Sequence, residues 1–274
     1  MFGPRLREVL PPVRIARFSV DDEPRYGVVE SAGPDGLEGT VAVLDSDPLY
    51  RPVQLTGERL PLADVRLLAP VIPRSKVVCV GRNYAAHASE LGHDVPKEPL
   101  IFLKPNTAVI GPRDGIVYPE QTQDLHFEGE LAVVIGRICR DLPPERANEV
   151  IFGYTVANDV TARDLQKSDG QWARAKGFDT FCPLGPWMVT ELDTSDLAVT
   201  TTLNGEPKQS GRTSEFIFDI PSVLAYITSF TTLLPGDVVL TGTPAGVGPM
   251  LPGDEVAVTI DGIGTLTNKV IQRD

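Results

Sequence analysis

The chain is expected to fold as a sheet-dominated α+β protein. From residue 76 onward, short apolar runs of strand length follow one another between turn-forming residues. One stretch alone has a clear helical period. Strands and helices also fail to alternate in the regular βαβ order that a doubly wound parallel sheet requires.

Taken in order, residues 13–20 (VRIARFSV) and 25–30 (RYGVVE) are β-like runs around Asp21-Asp22-Glu23-Pro24, a hairpin signal. The proline-spaced stretch from Pro48 to Pro73 reads as a connector, in which Leu60-Pro61-Leu62-Ala63-Asp64 leads into Val65–Leu68. A boundary near residue 70 follows, separating a small β-rich N-terminal domain (1–70) from a larger domain (71–274). Strands are expected at Lys76–Val80, Leu100–Leu103, Leu131–Ile135, Ile151–Ala157, Leu197–Leu203, Val238–Thr241, Glu255–Ile260 and Thr265–Val270. The helix is Asp219–Phe230. Asp219 can cap it, Pro221 fits its first turn, and Ile220, Val223, Leu224, Ile227 and Phe230 fall on one face. Pro235–Asp237 and Pro252–Asp254 are Pro-Gly-Asp turns, and Asp261-Gly262-Ile263-Gly264 reads as a further hairpin turn.

With 25 basic against 37 acidic residues, the formal charge of −12 argues against nucleic-acid and anionic-membrane partners. Cys79, Cys139 and Cys182 show no C-x-x-C spacing, which suits a reducing compartment and small buried hydrophobes. There is no basic segment followed by an apolar leader, and no apolar run reaches the length of a membrane span. A cytoplasmic protein is expected.

The chemistry concentrates in a few segments. In His126-Phe127-Glu128-Gly129-Glu130, which runs into Leu131–Ile135, a strand would place residues 126, 128 and 130 on one face. Two carboxylates held together raise a pKa or take a cation between them, and oxygen donors select Mg²⁺, Mn²⁺ or Ca²⁺ before Zn²⁺. An exposed acidic strand end carries the same pattern. In Gly81-Arg82-Asn83-Tyr84-Ala85-Ala86-His87-Ala88-Ser89-Glu90-Leu91-Gly92, a short helix capped by Asn83 and ended by Gly92 would set His87 and Glu90 at i,i+3. That is a general-base arrangement, or an ordinary surface pair. The polar stretch Leu91–Glu98 is either a lid or a plain loop, with no role for His93.

Asp159, leaving the strand Ile151–Ala157, could be a third oxygen ligand or the N-cap of a helix that carries Arg163 and Gln166; Asp164 is expected to be a structural partner. Lys176, among the aromatics and small residues of Gly170–Thr180, could hold a carboxylate or an enolate oxygen, or snorkel at the surface; Trp172 reads as core. The Gly-rich Thr241–Gly248 lacks both the P-loop and the dinucleotide fingerprint, so no nucleotide cofactor is expected. Its backbone or the Thr243 hydroxyl could hold a small carboxylate.

Together GRNYAAHASE, IFLKP, HFEGELAVVIG, NDVTARD, GQWARAKGFDTFCPLGPW and LTGTPAGVGP resemble the fumarylacetoacetate hydrolase family in its short bacterial form. The resemblance spans roughly residues 65–270. It implies a mixed β-sandwich roll, commonly paired as a homodimer, with Mg²⁺ or Mn²⁺ held by Glu128, Glu130 and Asp159. It also implies a His87–Glu90 dyad on a mobile segment, Lys176 as the active-site lysine, and Lys104, Arg163, Gln166 and Thr243 lining the substrate cleft. No organic cofactor is implied. The longer eukaryotic members carry a further aspartate ligand on a large N-terminal domain. Residues 1–70 contain no counterpart, which counts against fumarylacetoacetate itself as substrate.

The expected activity is therefore that of a divalent-metal enzyme acting on 2-oxo or 2,4-dioxo acids through a stabilised enolate, by oxaloacetate decarboxylation or acylpyruvate hydrolysis. The same residues would serve a 2-hydroxyhepta-2,4-diene-1,7-dioate isomerase or a 5-oxopent-3-ene-1,2,5-tricarboxylate decarboxylase. A non-catalytic protein binding metal or dicarboxylate is the reading from a different class.

Overall fold

The computed structural model describes residues 13–32, 38–90 and 94–273. A 12-stranded sheet runs in the order 55–61, 39–44, 23–32, 14–20, 182–189, 151–158, 129–135, 238–240, 77–81 and 100–104. The short strands Arg66–Leu68 and Val109–Ile110 attach to its side. A 5-stranded sheet contains 206–212, 198–203, 255–260, 264–272 and 115–118, and a 3-stranded sheet joins 161–162, 125–127 and 248–249. Most pairs are antiparallel, as expected of an α+β fold without βαβ units; Val238–Leu240 on Val77–Gly81 is one of the parallel pairs.

The strand Gly129–Ile135 explains how the large sheet is buried. Leu131, Val133 and Ile135 pack with Val199, Val258, Ile260 and Leu266 of the 5-stranded sheet. Ala132 and Val134 face the other way, into a cluster with Val77, Cys79, Ala157, Leu184 and Leu240. A strand covered on both faces reads as an unbroken apolar run, which is why its sequence carries no polar alternation. All three cysteines are buried and free.

Four α-helices are present among the described residues: α1 (Ala85–Glu90), α2 (Arg163–Asp169), α3 (Ala173–Gly177) and α4 (Ile220–Phe230). In α4, Asp219 caps as expected, accepting the Ser222 N–H at 2.9 Å. Phe230 departs from the expected buried face; it is exposed and stacks edge-on against Tyr226.

Two further expectations are corrected. The stretch read as a connector contains the strands Leu55–Pro61 and Arg66–Leu68. The second concerns Glu128: the strand expected through residues 126–130 breaks there, leaving Leu125–Phe127 in the 3-stranded sheet and Gly129–Ile135 in the large one. The N-terminal strands continue the large sheet, because Arg14 and Ile15 pair with Val189 and Met188. No helix among the described residues is long and apolar enough to cross a membrane.

Candidate metal centre and active site

The chain passes between the sheets at Glu128, two residues before Glu130, and two hydrogen bonds bring the Asn158–Asp159 segment to it. Asn158 Oδ1 accepts the Glu128 N–H at 2.9 Å, and the Glu128 carbonyl accepts the Asp159 N–H at 2.8 Å. One oxygen from each of the three buried carboxylates lies within 4.8 Å of the others. Asp159 is not a helix cap, since α2 has Ala162 at that position and no side-chain cap.

The geometry depends on Gly129. A Cβ there would meet Thr201 Oγ1 at 2.3 Å and Val258 Cγ1 at 2.9 Å, so a larger residue would lever the acidic pair away from the 5-stranded sheet. Gln209, which the sequence reading passed over, secures the same point. Its Oε1 accepts from Gly129 N–H (2.9 Å) and Thr201 Oγ1 (2.8 Å), while its Nε2 donates to Thr243 Oγ1 (2.7 Å) and the Pro244 carbonyl (2.8 Å). Its only sequence signal is period-two placement: Gln209 and Gly211 are the buried positions of an otherwise exposed strand, Glu206–Arg212.

Buried carboxylates need compensation. Lys176 Nζ donates to Glu128 Oε2 and Asp159 Oδ2, each at 2.7 Å, and so is buried rather than snorkelling. Arg163 donates to Glu128 Oε1 at 2.5 Å and to Gln166 Oε1 at 2.7 Å. Lys104 departs from its expected place. It is fully buried and absent from the cavity wall, with its Nζ on the carbonyls of Val160 (3.0 Å), Lys176 (2.6 Å) and Phe181 (2.8 Å).

Glu130 Oε2 accepts the Gly242 N–H at 2.6 Å, and among the described residues no cationic side chain bonds to it. Burial raises its pKa well above the usual carboxylate range, and repulsion from Asp159 and Glu128 adds to the rise. Burial acts the same way on Glu128, but Lys176 and Arg163 outweigh it and hold that carboxyl well below the usual range. Burial also opposes the charge on Lys176, which Asp159 and Glu128 nonetheless keep protonated, raising its pKa.

The centre fits a hard divalent cation. Among the described residues no cationic side chain is bonded to Glu130, and Asp159 Oδ1 receives no hydrogen bond although it is buried. Lys104 Nζ stands 2.7 Å from that oxygen, but its three protons serve the carbonyls. An all-oxygen set of this kind suits Mg²⁺, Mn²⁺ or Ca²⁺.

His87 reaches the same cavity from α1. Its Nδ1 lies 3.3 Å from Glu90 Oε2, and the Glu90 oxygens accept the Gly246 N–H at 3.1 and 3.2 Å. Glu90 thereby orients the imidazole and docks α1 on the Gly-rich loop. With Nδ1–H turned to Glu90, Nε2 is the basic nitrogen. Burial lowers the His87 pKa, against the opposing pull of Glu128 and Glu90. Asn83 is no cap: it donates to the Phe218 and Thr241 carbonyls at 3.0 and 2.8 Å and accepts the Phe218 N–H at 2.8 Å, anchoring the root of the segment. Of the expected lid, residues 91–93, including His93, lie outside the described residues, and 94–98 form an irregular loop.

The cavity holds about 250 Å³ and is walled by the three carboxylates, His87, Lys176, Arg163, Gln166 and Thr243. Phe102 and Trp172 form an apolar side, so Trp172 lines the site instead of joining the core. The Thr243 hydroxyl donates to the Gly129 carbonyl at 2.9 Å and is already committed to the scaffold. Asp164 is structural as expected, accepting from Thr122, Gln123 and Leu165.

A sheet-dominated fold that gathers buried carboxylates, a buried lysine and a His–Glu pair around one small cavity defines a carboxylate centre whose donors fit a divalent cation. The chain belongs to the fumarylacetoacetate hydrolase family: the model of the fumarylacetoacetate (FAA) hydrolase C-terminal domain matches residues 76–271, and an Rv2993c-like N-terminal model matches residues 13–70. It is 50% identical to the crystal structure of 2-hydroxyhepta-2,4-diene-1,7-dioate isomerase from Mycobacterium marinum, with a TM-score of 0.88 over 95% of this chain and 99% of that one. It is 44% identical over 224 residues to the human mitochondrial oxaloacetate tautomerase FAHD2A, covering 77% of this chain and 71% of that protein. The fumarylpyruvate hydrolase of Pseudomonas aeruginosa, solved with Mn²⁺ and pyruvate, is 37% identical with a TM-score of 0.70, over 74% of this chain and 91% of that one.

Proposed function

We propose that this protein is a divalent-cation-dependent enzyme that draws short 2-oxo acids through an enol or enolate, with oxaloacetate or a simple acylpyruvate as substrate and C–C bond cleavage as outcome. The observation that carries this reading is the buried Glu128–Glu130–Asp159 cluster facing the same small cavity as His87 and Lys176. A cation held by those three carboxylates would supply Lewis acidity at the 2-oxo group. His87, with Glu90 behind its Nδ1 and no hydrogen bond to its Nε2 among the described residues, is placed to take a proton from a substrate carbon or from an attacking water. Glu90 stabilises the imidazolium that results. The Lys176 ammonium offers fixed positive charge to an oxyanion developing in the cavity. Arg163 and Gln166, bonded to each other, also line the cavity.

Proton relocation without bond cleavage is the second reading, favoured by the isomerase and tautomerase names of two relatives. It uses the same dyad. The deciding experiment follows oxaloacetate and acetylpyruvate with Mg²⁺ or Mn²⁺, recording enol absorbance, pyruvate and CO₂ separately, with Glu128→Ala as control for free metal. Pyruvate formation supports cleavage, and enol loss without pyruvate supports tautomerisation. Full activity after exhaustive chelation, or equal turnover in His87→Ala, would overturn the roles given to the cation or to the dyad.

A further inference from the structure

Two cations on the cavity wall are not committed to the carboxylate cluster: Arg82 and Lys167. Lys176 and Arg163 are bonded to Glu128 or Asp159. Among the described residues, Arg82 has no hydrogen-bond or ion-pair partner, and the cause acting on its pKa is burial, which lowers it, with no acid nearby to raise it. Its guanidinium nitrogens are not among the buried unpartnered atoms, so water solvates them until an anion takes its place, and a built arrangement holds the group at the cavity. Arg82 holds a left-handed backbone at φ 59°, uncommon for a residue with a side chain. Its guanidinium carbon lies 5.9 Å from the centre of the Trp172 ring. The preceding Gly81 has no room for a Cβ, which would meet Trp172 Cζ3 at 2.9 Å. Trp172 is in turn set edge-on to Phe102, with ring centres 5.3 Å apart.

Charge arithmetic points the same way. In formal count the three buried carboxylates are matched by Lys104, Arg163 and Lys176, although these pair with Glu128 and Asp159 and not with Glu130. A divalent cation and Arg82 together leave a surplus of three positive charges, of which a monoanionic substrate offsets one and a dianion two.

Resting on the 2-oxo acid reading above, we infer that Arg82 is the specificity-determining residue that receives the second carboxylate of a 2-oxo dicarboxylate. The preferred substrates are then diacids of the oxaloacetate type over monocarboxylic acylpyruvates. Lys167, being exposed, is screened by water and contributes less.

The test compares kcat/KM for oxaloacetate and acetylpyruvate in the cation-loaded wild type, Arg82→Gln, Arg82→Lys and Lys167→Gln. A lost charge-assisted hydrogen bond should lower the diacid-to-monoacid ratio about 10-fold to 100-fold in Arg82→Gln, chiefly through KM. Arg82→Lys should recover part of the ratio, and Lys167→Gln should move it less than about 3-fold. An unmoved ratio in Arg82→Gln overturns the inference. A wild type that turns over neither acid counts against the proposed function instead, and binding then decides on Arg82. Calorimetric titration of the Mn²⁺-loaded protein with 2-oxoglutarate and 2-oxobutyrate should show a diacid preference that Arg82→Gln removes. Equal wild-type affinities, or a preference that survives the substitution, overturn it. Thermal melts of each variant exclude misfolding, and Arg82→Lys supplies the comparison should Arg82→Gln fail to fold.

Discussion

Lys104 Nζ stands 2.7 Å from Asp159 Oδ1, yet donates its three protons to the carbonyls of Val160, Lys176 and Phe181. The lysine thus ties together the segments that carry Asp159 and Lys176 while leaving that carboxylate oxygen without a hydrogen bond. Removing it strands three carbonyls and a buried charge. Lys104→Met should lower unfolding free energy by about 3–5 kcal/mol, measured by urea titration. A change confined to KM, with stability intact, would make Lys104 a substrate contact instead.

Gln209 satisfies four partners from one buried amide, so Gln209→Leu leaves the Gly129 N–H and the Pro244 carbonyl unpaired. Stability should fall by about 1–3 kcal/mol for each buried group left unsatisfied. Mn²⁺ affinity should weaken as well, because Gly129 lies between Glu128 and Glu130. Gln209→Glu should do no better, since a carboxylate cannot donate to Thr243 and Pro244. Calorimetric Mn²⁺ titration beside a denaturation curve reads both effects.

Glu130 carries the least compensated charge of the centre, and Glu130→Gln should therefore separate stability from metal binding. A carboxyl whose folded pKa lies above the usual 4.5 stabilises the cation-free protein when protonated, and that contribution is lost as pH rises from 4.5 through the raised folded value. At neutral pH the amide should make the cation-free protein more stable than wild type. It should also abolish the thermal stabilisation that saturating Mn²⁺ confers on wild type, about 2.7 kcal/mol at 100 times Kd. Melting curves with and without Mn²⁺ after chelation are the check.

The base in the dyad must be neutral to act. Burial lowers the His87 pKa from 6.5, so the acid limb of kcat/KM should fall below pH 6.5, and a cation nearby would push it the same way. Stability follows the same sign: the buried neutral imidazole costs nothing above 6.5 and destabilises as pH falls from there through the lowered folded value. Glu90→Gln removes a group that favours the protonated ring and should shift the acid limb lower still. A limb at or above pH 6.5 in wild type would assign the titration to another group.

Local signals that survive into the fold were legible in the chain. Asp219 ahead of an amphipathic run made a capped helix because one Asp oxygen and one N–H suffice. Leu131–Ile135 made a buried strand because β-branched residues with no polar alternation suit a sheet covered on both sides. The acidic pair was visible too, and the ordered segments around it were enough to indicate the family. What sequence alone did not decide was which partner each polar side chain would find. Asn83 fitted a local role as cap and Asp159 one as cap or oxygen ligand, while Lys104 was placed in the cleft by the resemblance alone; each is held by groups 17 to 158 positions away. Gln209 had only its period-two placement to mark it, and Arg82 was passed over within its segment. The break at Glu128 and the joining of Arg14–Val20 to Cys182–Val189 are likewise sheet-pairing decisions. Buried charge is governed by distance in space, so only tertiary packing could choose between a solvated acidic strand end and a centre with an oxygen left open for a cation.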